Sequence, residues 1–406
     1  MSEIKIINDP VFGFIKIPKG IILDIVCHPL MQRLARIKQL GMASVVYPGA
    51  QHTRFQHSIG AFHLMSEAIV ALQQKGIFIF DSEAEAVQLA ILMHDIGHGP
   101  FSHVLEHTLI TDISHEEISL MMMAHINNEM NGALNLAIKI FKNEYPKKFL
   151  HQLISSQLDM DRLDYLRRDS FFTGVTEGSI SSARIIKMLQ VVDDGLAVES
   201  KGIYSIENYL TSRRLMYWQV YLHKTTVACE SILVNILKRA KQLMMQGRLL
   251  FSTPALSYFL RQEVDKTFFE QHPETLDYYC QLDDNDIWSS IKVWMNDEDK
   301  VLAQLSKNLI YRHIFKVEVR DTPIEQAEID NLKNRIKQSL GVDDEEVEYF
   351  IAAHTVSKDM YSMNNDHICI LYNDGTCKDI SEASELFDMP QISKKNSKYY
   401  LCYQRL

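Results

Sequence analysis

The sequence has few cysteines, and their spacing is irregular. The six cysteines in 406 residues are scattered without a Cys-x-x-Cys motif. This spacing indicates neither a zinc ribbon nor a disulfide framework. The chain also has no signal peptide at its start and no apolar run of about 18 residues, the length that a membrane-spanning helix requires. We therefore expect a cytoplasmic protein with no membrane partner.

Positive charge is also less abundant than negative charge. The chain has 42 lysines and arginines against 52 aspartates and glutamates, which gives a net charge of −10. This balance argues against stable nucleic-acid binding, although it permits a local cationic pocket for an anion. Hydrophobic residues make up 46% of the chain and charged residues 23%. This is the composition of an ordinary globular protein, and the length allows a large core.

A histidine-rich segment follows an apolar helical run. Residues 86–93 are apolar except for Gln88, as in a buried helix, and the glycines and proline of 97–100 end the run. Because neighbouring helical residues point about 100° apart, His94 and Asp95 can occupy adjacent positions around an octahedral metal. A buried aspartate is costly unless a cation or hydrogen bonds compensate its charge. The plain alternative is a pair of satisfied helix-end residues, but three imidazoles and a carboxylate within 94–103 favour a site.

Two further segments can complete a metal site. His57 lies at the head of a predicted helix, and on another helix Asp161 shares a face with Tyr165 and Arg168. Asp161 is the better ligand candidate, although a salt-bridged solvent face is the alternative. Two other acids of that helix stay open as ligands: Asp159 and Asp164. A set of imidazoles and carboxylates without thiolate suits Fe, Mn, Ni, Co or Zn, and it argues against a structural zinc site.

The hydrophobic pattern predicts a mainly α protein of two parts. An all-helical core is expected over residues 1–310, with the metal-binding region at about 50–170, and a small α+β lobe over 311–406. The predicted core helices cover 31–40, 82–96, 101–110, 115–130, 132–144, 147–168 and 206–246. A polar hairpin is expected around Asp193-Asp194-Gly195. The lobe is predicted to contain strands at 314–320, 348–356, 367–372 and 399–403 and a helix over 324–340.

Four motifs of the chain resemble those of the HD-domain deoxynucleoside triphosphate triphosphohydrolases. In order, they are Gln51-His-Thr-Arg-Phe-Gln-His-Ser-Ile-Gly60, His94-Asp-Ile-Gly-His-Gly-Pro-Phe-Ser-His103, His115-Glu116 and Asp161-Arg-Leu-Asp-Tyr165. The pattern is similar to the core of the sterile-alpha-motif/HD enzymes, without a SAM domain, and to that of their bacterial relatives. The resemblance covers more than half of the chain and implies that the helical core is an HD domain. The C-terminal lobe matches only in character.

The resemblance implies a site with three groups of residues. The implied metal ligands are His57, His94, Asp95 and Asp161. The implied catalytic residues around the α-phosphate are His98, His103, Glu106 and His115. The implied substrate-binding residues are Gln39, Arg54, Arg162, Tyr165, Arg213 and Tyr221.

The implied reaction is hydrolysis of a dNTP to a deoxynucleoside and inorganic triphosphate by water attack at the α-phosphate. A divalent transition metal would lower the pKa of its bound water and polarise a phosphoryl oxygen. A Mg ion bound to the triphosphate is also expected. His103 would protonate the leaving 5′-oxygen. The ring of Tyr221, pressed against C2′ of the sugar, would reject a 2′-hydroxyl. The family also implies a homodimer or homotetramer.

The chain departs from the family pattern at several positions. Glu106 stands where the family has aspartate, and Arg162 replaces a lysine, which keeps the charge but changes the geometry. Tyr217 stands where the vertebrate enzyme has a histidine that faces the substrate, and Leu222 stands where it has the glutamine before its His-Lys pair. Contacts to the base are therefore not predicted.

A nucleotide activator is the least determined expectation. Residues that match the vertebrate enzyme's guanine-nucleotide region are Lys5, Asn8, Gln32 and Arg33. However, Cys27 and Ala35 replace an aspartate that reads guanine and an arginine, and neither replacement makes those contacts. Activation by GTP is not expected, while activation by another nucleotide, or by none, stays open.

Two other functions compete with this one. The first is an HD phosphohydrolase acting on a nucleoside monophosphate, a cyclic dinucleotide or an alarmone. The sequence lacks both the second Glu-Asp pair of alarmone hydrolases and the Gly-Tyr-Pro signature of cyclic-dinucleotide enzymes. The second is a non-catalytic nucleotide sensor, against which the complete set of ligands and pocket histidines argues.

Overall fold

The computed structural model describes residues 4–101, 103–106, 108–358, 367–386 and 396–406. Within these ranges it contains 19 α-helices and nine β-strands. The fold is mainly α, as predicted. None of the helices in this part of the chain combines the length and the apolar character that a membrane crossing requires.

The helices are mostly short, and a few long ones form the core. In the first half of the chain they are α1 (Ile21–Cys27), α2 (Pro29–Arg33), α3 (Arg54–Gln74), α4 (Asp81–Met93), α5 (His103–Glu106), α6 (His115–Glu129), α7 (Asn135–Phe141), α8 (Lys148–Gln152), α9 (Met160–Thr173) and α10 (Ser182–Met188). In the second half they are α11 (Ile203–Met216), α12 (Lys224–Met245), α13 (Pro254–Leu260), α14 (Lys266–Gln271), α15 (Glu274–Gln281), α16 (Asp284–Trp294), α17 (Lys300–Ile310), α18 (Gln326–Leu340) and α19 (Ile380–Ala383).

The strands form three small sheets. They are β1 (Ile4–Asp9), β2 (Gly13–Pro18), β3 (Leu189–Val192), β4 (Gly195–Glu199), β5 (Lys316–Arg320), β6 (Ile351–Lys358), β7 (Cys369–Leu371), β8 (Cys377–Asp379) and β9 (Asn396–Tyr403). The sheet orders are β1-β2, β3-β4-β7-β8 and β5-β9-β6. The core thus adds two β-hairpins to its helices, and the predicted hairpin at Asp193-Asp194-Gly195 is confirmed by the pairing of Val192 with Gly195.

The four-stranded sheet joins the two predicted parts of the chain. Strand β4 belongs to the predicted core and β7 to the predicted lobe, and the two pair in parallel with Ala197 opposite Cys369. The lobe is therefore connected to the core by backbone hydrogen bonds as well as by the chain itself. The boundary at residue 310 stays a prediction.

Helix α3 packs against both α4 and α9 and sets the position of the site. Thr53 precedes it, and the hydroxyl of Thr53 accepts a hydrogen bond from the backbone N of Gln56. The side chain of Gln56 accepts in return from the backbone N of Thr53 at 2.8 Å. This reciprocal cap fixes the start of the helix. As a result, the first turn of α3 meets the end of α4 and the start of α9.

The prediction of one helix over 147–168 was wrong, because α8 ends at Gln152 and α9 begins at Met160. Asp159 causes the new start. Its Oδ1 accepts from the backbone N of Arg162 at 2.7 Å, and its Oδ2 accepts from the backbone N of Ser156 at 2.9 Å. An aspartate that takes backbone N–H groups in this way begins a helix rather than continuing one.

Three other predicted helices differ from the structure. The predicted helix over 206–246 is interrupted by a π-helical turn at Tyr217–Tyr221, after which α12 starts at Lys224. The interruption brings two tyrosines to the site described below. The helix predicted over 101–110 is reduced to α5 in the described residues. The one predicted over 31–40 ends with a 3₁₀ turn at Arg36.

Candidate metal centre and active site

Three helix ends meet at one point. His57 lies in the first turn of α3, His94 directly follows α4, and Asp161 lies in the first turn of α9. The Nε2 atoms of His57 and His94 are 3.2 Å apart. Oδ1 of Asp161 lies 3.0 Å from Nε2 of His57 and 3.4 Å from Nε2 of His94. The structure thus brings three of the four predicted ligands together, with their ligand atoms within 4.8 Å of one another.

Hydrogen bonds fix the far sides of the two imidazoles. Nδ1 of His57 donates to Oδ2 of Asp164 at 2.7 Å, and Nδ1 of His94 donates to the carbonyl O of Ile91 at 2.6 Å. Because a carboxylate and a carbonyl only accept, each neutral ring carries its proton on Nδ1. The two Nε2 lone pairs then face each other and the carboxylate of Asp161, which is unfavourable unless a cation lies among them. These side chains fit a divalent metal bound by nitrogen and oxygen.

Asp95, the fourth predicted ligand, lies at the edge of this cluster. Its Oδ1 is 3.3 Å from Nε2 of His94, and its Oδ2 is 3.7 Å from Nε2 of His57. Oδ2 also accepts from Nη1 of Arg54 at 2.6 Å. Arg54 therefore compensates part of the charge of Asp95, while Oδ1 stays turned towards the histidines.

The electrostatics of the cluster favour a cation. Burial lowers the pKa of His57, but hydrogen bonds to Asp161 and Asp164 outweigh it and raise that pKa to about 10. Burial also opposes charge on His94, yet Asp95 and Asp161 raise its pKa. Burial opposes ionisation of Asp161, and hydrogen bonds from the two histidines lower its pKa in spite of this. The carboxylates therefore keep their negative charge, which attracts a proton or a metal to the space between the rings.

A row of contacting side chains extends from Asp95 away from the metal cluster. Nε2 of His98 is 3.4 Å from Oδ1 of Asp95, and the ring of His98 stacks on that of His115 with centroids 3.9 Å apart. Nδ1 of His115 donates to Oε1 of Glu106 at 3.0 Å. Burial and the charge of Arg54 lower the pKa of His98 to about 3, so His98 is neutral near pH 7. Three of the residues predicted to surround the α-phosphate are thus in contact.

Helix α6 approaches the turn after α4 closely because Gly97 has no side chain. A Cβ at Gly97 would lie 2.3 Å from the carbonyl O of His115 and 2.3 Å from the backbone N of Ser119. The hydroxyl of Ser119 accepts from the backbone N of Gly97 and donates to the carbonyl O of His94. This contact brings His115 beside the metal cluster. The side chain of His103, the predicted acid at the start of α5, lies outside the described residues.

The remaining arginines predicted to bind phosphate differ in their partners. Nε of Arg162 donates to the carbonyl O of Ser156 at 2.7 Å and to Oδ2 of Asp159 at 3.1 Å. Nη1 of Arg213 donates to Oε1 of Gln157 at 3.1 Å. In the described part of the chain, the buried Nε of Arg213 has no hydrogen-bond partner. Arg213 therefore has a polar atom available for an anionic ligand.

Tyrosines connect the metal cluster to the predicted sugar side. The ring of Tyr165 lies 6.4 Å from that of His57 and 6.2 Å from that of Tyr221, measured between centroids. The hydroxyl of Tyr221 donates to Oδ2 of Asp169 at 2.8 Å. Oδ1 of the same carboxylate is 2.7 Å from Nε2 of His52. Asp169 thus fixes the position of the Tyr221 ring.

Gln39 lies beside the loop that leads into α3. Its backbone N donates to the carbonyl O of His52 at 3.0 Å, and its buried Oε1 has no hydrogen-bond partner within the described ranges. Tyr217, which stands where the vertebrate enzyme has histidine, lies edge-on to Tyr221 with centroids 5.3 Å apart. The binding roles of these residues stay predictions.

The region predicted to match an activator site contains an arginine with a structural role. Arg33 is 1% exposed, and it donates to the carbonyl O of Leu282 at 2.8 Å and to that of Ile96 at 3.3 Å. The side chain of Gln32 donates to the carbonyl O of Val26 at 2.7 Å. Arg33 therefore has no exposed face for a nucleotide in this conformation.

The sequence did not identify the residues that hydrogen-bond to the outer sides of the site residues and fix their orientation. Asp164, left open as a ligand, bonds to the outer nitrogen of His57, while Asp159 caps α9. Asp161 and Asp164 are three residues apart on one helix, a spacing that could have placed both beside one ring. By contrast, Asp169 and His52 lie 117 positions apart, and no local pattern connects them.

Comparisons with known proteins show which family the chain resembles. Residues 54–169 match the family model of the HD domain, and residues 180–252 match that of the HD associated region. The uncharacterized protein YwfO of Bacillus subtilis is 31% identical over 96% of this chain and 89% of its own length. The deoxynucleoside triphosphate triphosphohydrolase SAMHD1 of Homo sapiens is 26% identical over 81% of this chain, which spans 57% of that longer protein.

Solved structures extend the similarity to the whole chain. A phosphohydrolase from Bacteroides thetaiotaomicron is 64% identical and superposes with a TM-score of 0.97, covering 99% of this chain and all of its own. A hypothetical protein from Aquifex aeolicus is 26% identical, with a TM-score of 0.72 over 99% of this chain and 97% of its own. The chain belongs to the HD-domain phosphohydrolase family.

Proposed function

We propose that this phosphohydrolase cleaves dNTPs to deoxynucleosides and inorganic triphosphate by water attack at the α-phosphate. The observation that carries the proposal is the position of the metal cluster between two different surroundings. The imidazole chain of His98 and His115 lies on one side, and partly buried arginines and tyrosines lie on the other. An α-phosphate bound at the cluster would lie next to imidazoles that can transfer protons. The arginines would then lie near the β- and γ-phosphates.

His57, His94 and Asp161 would hold a divalent transition metal such as Fe, Mn, Zn, Ni or Co, with Asp95 at the edge. When bound, such a metal would acidify a water and polarise a phosphoryl oxygen. The protein contributes the orientation of both rings through their Nδ1 hydrogen bonds.

Arg162 and Arg213 would bind the triphosphate, which carries about four negative charges and needs cations gathered at one point. Both guanidinium groups are near Tyr165, which contacts the ring of His57. Mg bound to the triphosphate would balance the remaining charge. Arg54, bonded to Asp95, keeps one further positive charge beside the cluster.

The leaving 5′-oxygen needs a proton, and we assign this role to His103 together with His115 and Glu106. Glu106 accepts from Nδ1 of His115, which fixes the orientation of the ring for proton transfer. Tyr221, held by Asp169, would press its ring against C2′ of the sugar. A 2′-hydroxyl would then be excluded by contact.

A cavity of about 710 Å³ supports a further part of this proposal, a nucleotide activator. Its lining includes Lys224, Arg312, Lys316 and Arg405 and contains no carboxylate among the described residues. Such a cavity would attract an anion in a protein that is acidic as a whole. The proposal also includes assembly into a homodimer or homotetramer, which light scattering would measure.

The experiment is a product profile. The protein is incubated with a divalent metal and each of the four dNTPs or GTP, with and without a second nucleotide, and the products are separated by anion exchange. Inorganic triphosphate and a deoxynucleoside are expected from dNTPs, with much slower turnover of GTP. Asp161→Ala is the matched control and should release neither product.

Other products would identify another function. Diphosphate or monophosphate products would show attack at a different phosphorus and would refute the proposed reaction. Binding of nucleotide without any product, with metal present in full amount, would favour a non-catalytic sensor.

A further inference from the structure

The turn of the N-terminal hairpin has a buried carboxylate that bonds in two directions. Asp9 is 4% exposed. Its Oδ1 accepts from the backbone N atoms of Val11 and Phe12, both at 2.9 Å. Its Oδ2 accepts from Nη1 of Arg168 at 2.7 Å. One oxygen therefore shapes the turn between β1 and β2, and the other leaves the hairpin to bind α9.

Arg168 continues this connection towards the metal cluster. Its side chain is fully buried, and its guanidinium makes a bidentate pair with Asp164, from Nε to Oδ2 and from Nη2 to Oδ1, both at 2.9 Å. The ring of Phe12 lies 5.6 Å from the guanidinium carbon. Because both nitrogen edges are bonded to carboxylates, the guanidinium has one orientation.

Asp164 completes the connection. It is fully buried, and its Oδ2 accepts from Nδ1 of His57 at 2.7 Å. The opposite nitrogen of this ring is the one that faces His94 and Asp161. The orientation of a predicted metal ligand is therefore set by a carboxylate that is itself set by Arg168.

The backbone of α3 closes the remaining side of this pair. A Cβ at Gly60 would lie 1.9 Å from Oδ1 of Asp164 and 2.1 Å from Nη2 of Arg168. Neither group could stay in place beside a larger residue. The ion pair thus occupies a space that the sequence keeps open at this position.

We propose that Asp9, Arg168 and Asp164 are positioning residues for His57, so that the N-terminal hairpin is a working part of the metal centre. The inference rests on the proposed metal-dependent function. It adds residues that touch neither metal nor substrate, and one of them, Asp9, comes from a strand more than 40 positions before the nearest ligand. Hydrogen-bonding partners behind metal ligands affect metal affinity by about 10- to 100-fold.

The main test is Asp9→Asn in the full chain. The amide oxygen can still accept from the turn, but the amide nitrogen cannot accept from Arg168. We expect the dissociation constant for Mn²⁺ or Co²⁺, measured by competition with a chromophoric chelator, to rise about tenfold. Activity at saturating metal should return to within about twofold of the native value, because no group that touches the substrate has changed.

Two further variants of the positioning residues distinguish an effect on the orientation of His57 from an effect on folding. Asp164→Asn acts directly on His57 and should weaken metal binding more than Asp9→Asn does, by up to about 100-fold. Asp9→Glu keeps a carboxylate for Arg168 and should recover part of the metal affinity. If Asp9→Asn does not fold, the first of these variants still tests the inference.

Asp299→Asn is the matched control. Asp299 also divides its carboxylate between a backbone N–H, that of Leu302 at 2.8 Å, and an arginine, Arg239, at 2.6 Å. We expect this variant to lower the melting temperature without changing metal affinity.

Two outcomes would overturn the inference. One is native metal affinity in a folded Asp9→Asn protein, and the other is an equal loss in Asp299→Asn. A native protein that binds no metal would instead refute the proposed metal centre itself, so the two failures are distinguishable.

Discussion

The two sides of the candidate site differ in how completely the protein bonds their side chains. On the metal side, Nδ1 of each histidine has a short hydrogen bond, and Asp164 is held in turn by Arg168. On the phosphate side, buried polar atoms of Arg213 and Gln39 have no partner in the part of the chain that the structure describes. The fold therefore completes the outer hydrogen bonds of the two histidines on the metal side. On the phosphate side it leaves buried donor and acceptor atoms without partners among the described residues.

This difference suggests that the phosphate side needs the bound substrate to complete its hydrogen bonds. Burying a polar atom without a partner costs about 1–3 kcal/mol, a cost that a bound ligand removes. The metal side, by contrast, has its outer bonds made before any ligand arrives, and it lacks only a cation between the rings. We therefore expect changes on the metal side to abolish metal binding, and changes on the phosphate side to weaken substrate binding while the metal stays.

The largest effect should follow the loss of a metal-side ring. In His94→Ala one of the two Nε2 atoms of the cluster is gone, and we expect metal content near zero and activity reduced by about 10³-fold or more. Metal per chain is measured by plasma mass spectrometry, and hydrolysis by triphosphate release. His125→Ala, which changes a half-exposed histidine on α6, should keep both. A His94→Ala protein with full metal content would break the comparison.

A smaller effect is expected on the phosphate side. Arg213→Ala removes a guanidinium with an unused buried Nε, and kcat/KM should fall about 100-fold because charge-assisted contacts to the triphosphate are lost. Metal content should be native. Arg213→Lys should recover part of the activity, since it restores charge but not the planar geometry. Loss of metal in Arg213→Ala would show that the two sides are not separable.

The two sides also differ in how much of them the sequence predicts. The ligands of the metal side lie in compact motifs at helix ends, and the family resemblance of these motifs implied His57, His94, Asp95 and Asp161, whereas helix spacing alone left Asp159 and Asp164 open. The mainly α fold and the strands of the lobe followed from hydrophobic periods. Bonds between distant segments leave no local pattern, so Asp9 and its contact with Arg168 were not predicted.

Helix boundaries near the site show a similar limit. The apolar residues of 147–168 continue a helical period through the break, and only the hydrogen bonds of Asp159 decide where α9 starts. The π-helical turn at Tyr217–Tyr221 likewise interrupts a stretch whose sequence has an unbroken helical character. In both places packing and capping overrode a period that was correct for the flanking residues.

The smallest effect on function is expected at the far end of α4 from His94. Glu83 is 1% exposed and accepts from the hydroxyl of Tyr145 at 2.6 Å, from Nζ of Lys147 at 2.7 Å and from the backbone N of Phe80 at 2.9 Å. Glu83→Gln should lower the free energy of unfolding at pH 7 by about 1–2 kcal/mol, because hydrogen bonds to a charged group are weakened. Metal affinity and kcat/KM should not change.

The pH dependence of this loss follows from the pKa of Glu83. Burial raises that pKa, but the hydrogen bonds from Lys147 and Tyr145 outweigh it, so the folded-state pKa lies below the usual 4.5. A depressed carboxyl pKa stabilises the folded state fully above the unfolded pKa, and the contribution is lost as the pH falls through the folded pKa. The difference in stability between native protein and Glu83→Gln should therefore be constant near neutral pH and shrink below about pH 4.5. Urea unfolding at a series of pH values measures it. A stability difference that grows in acid would mean that Glu83 is protonated in the folded protein. A change in metal affinity in Glu83→Gln would mean that a change at the start of α4 affects His94 at its end.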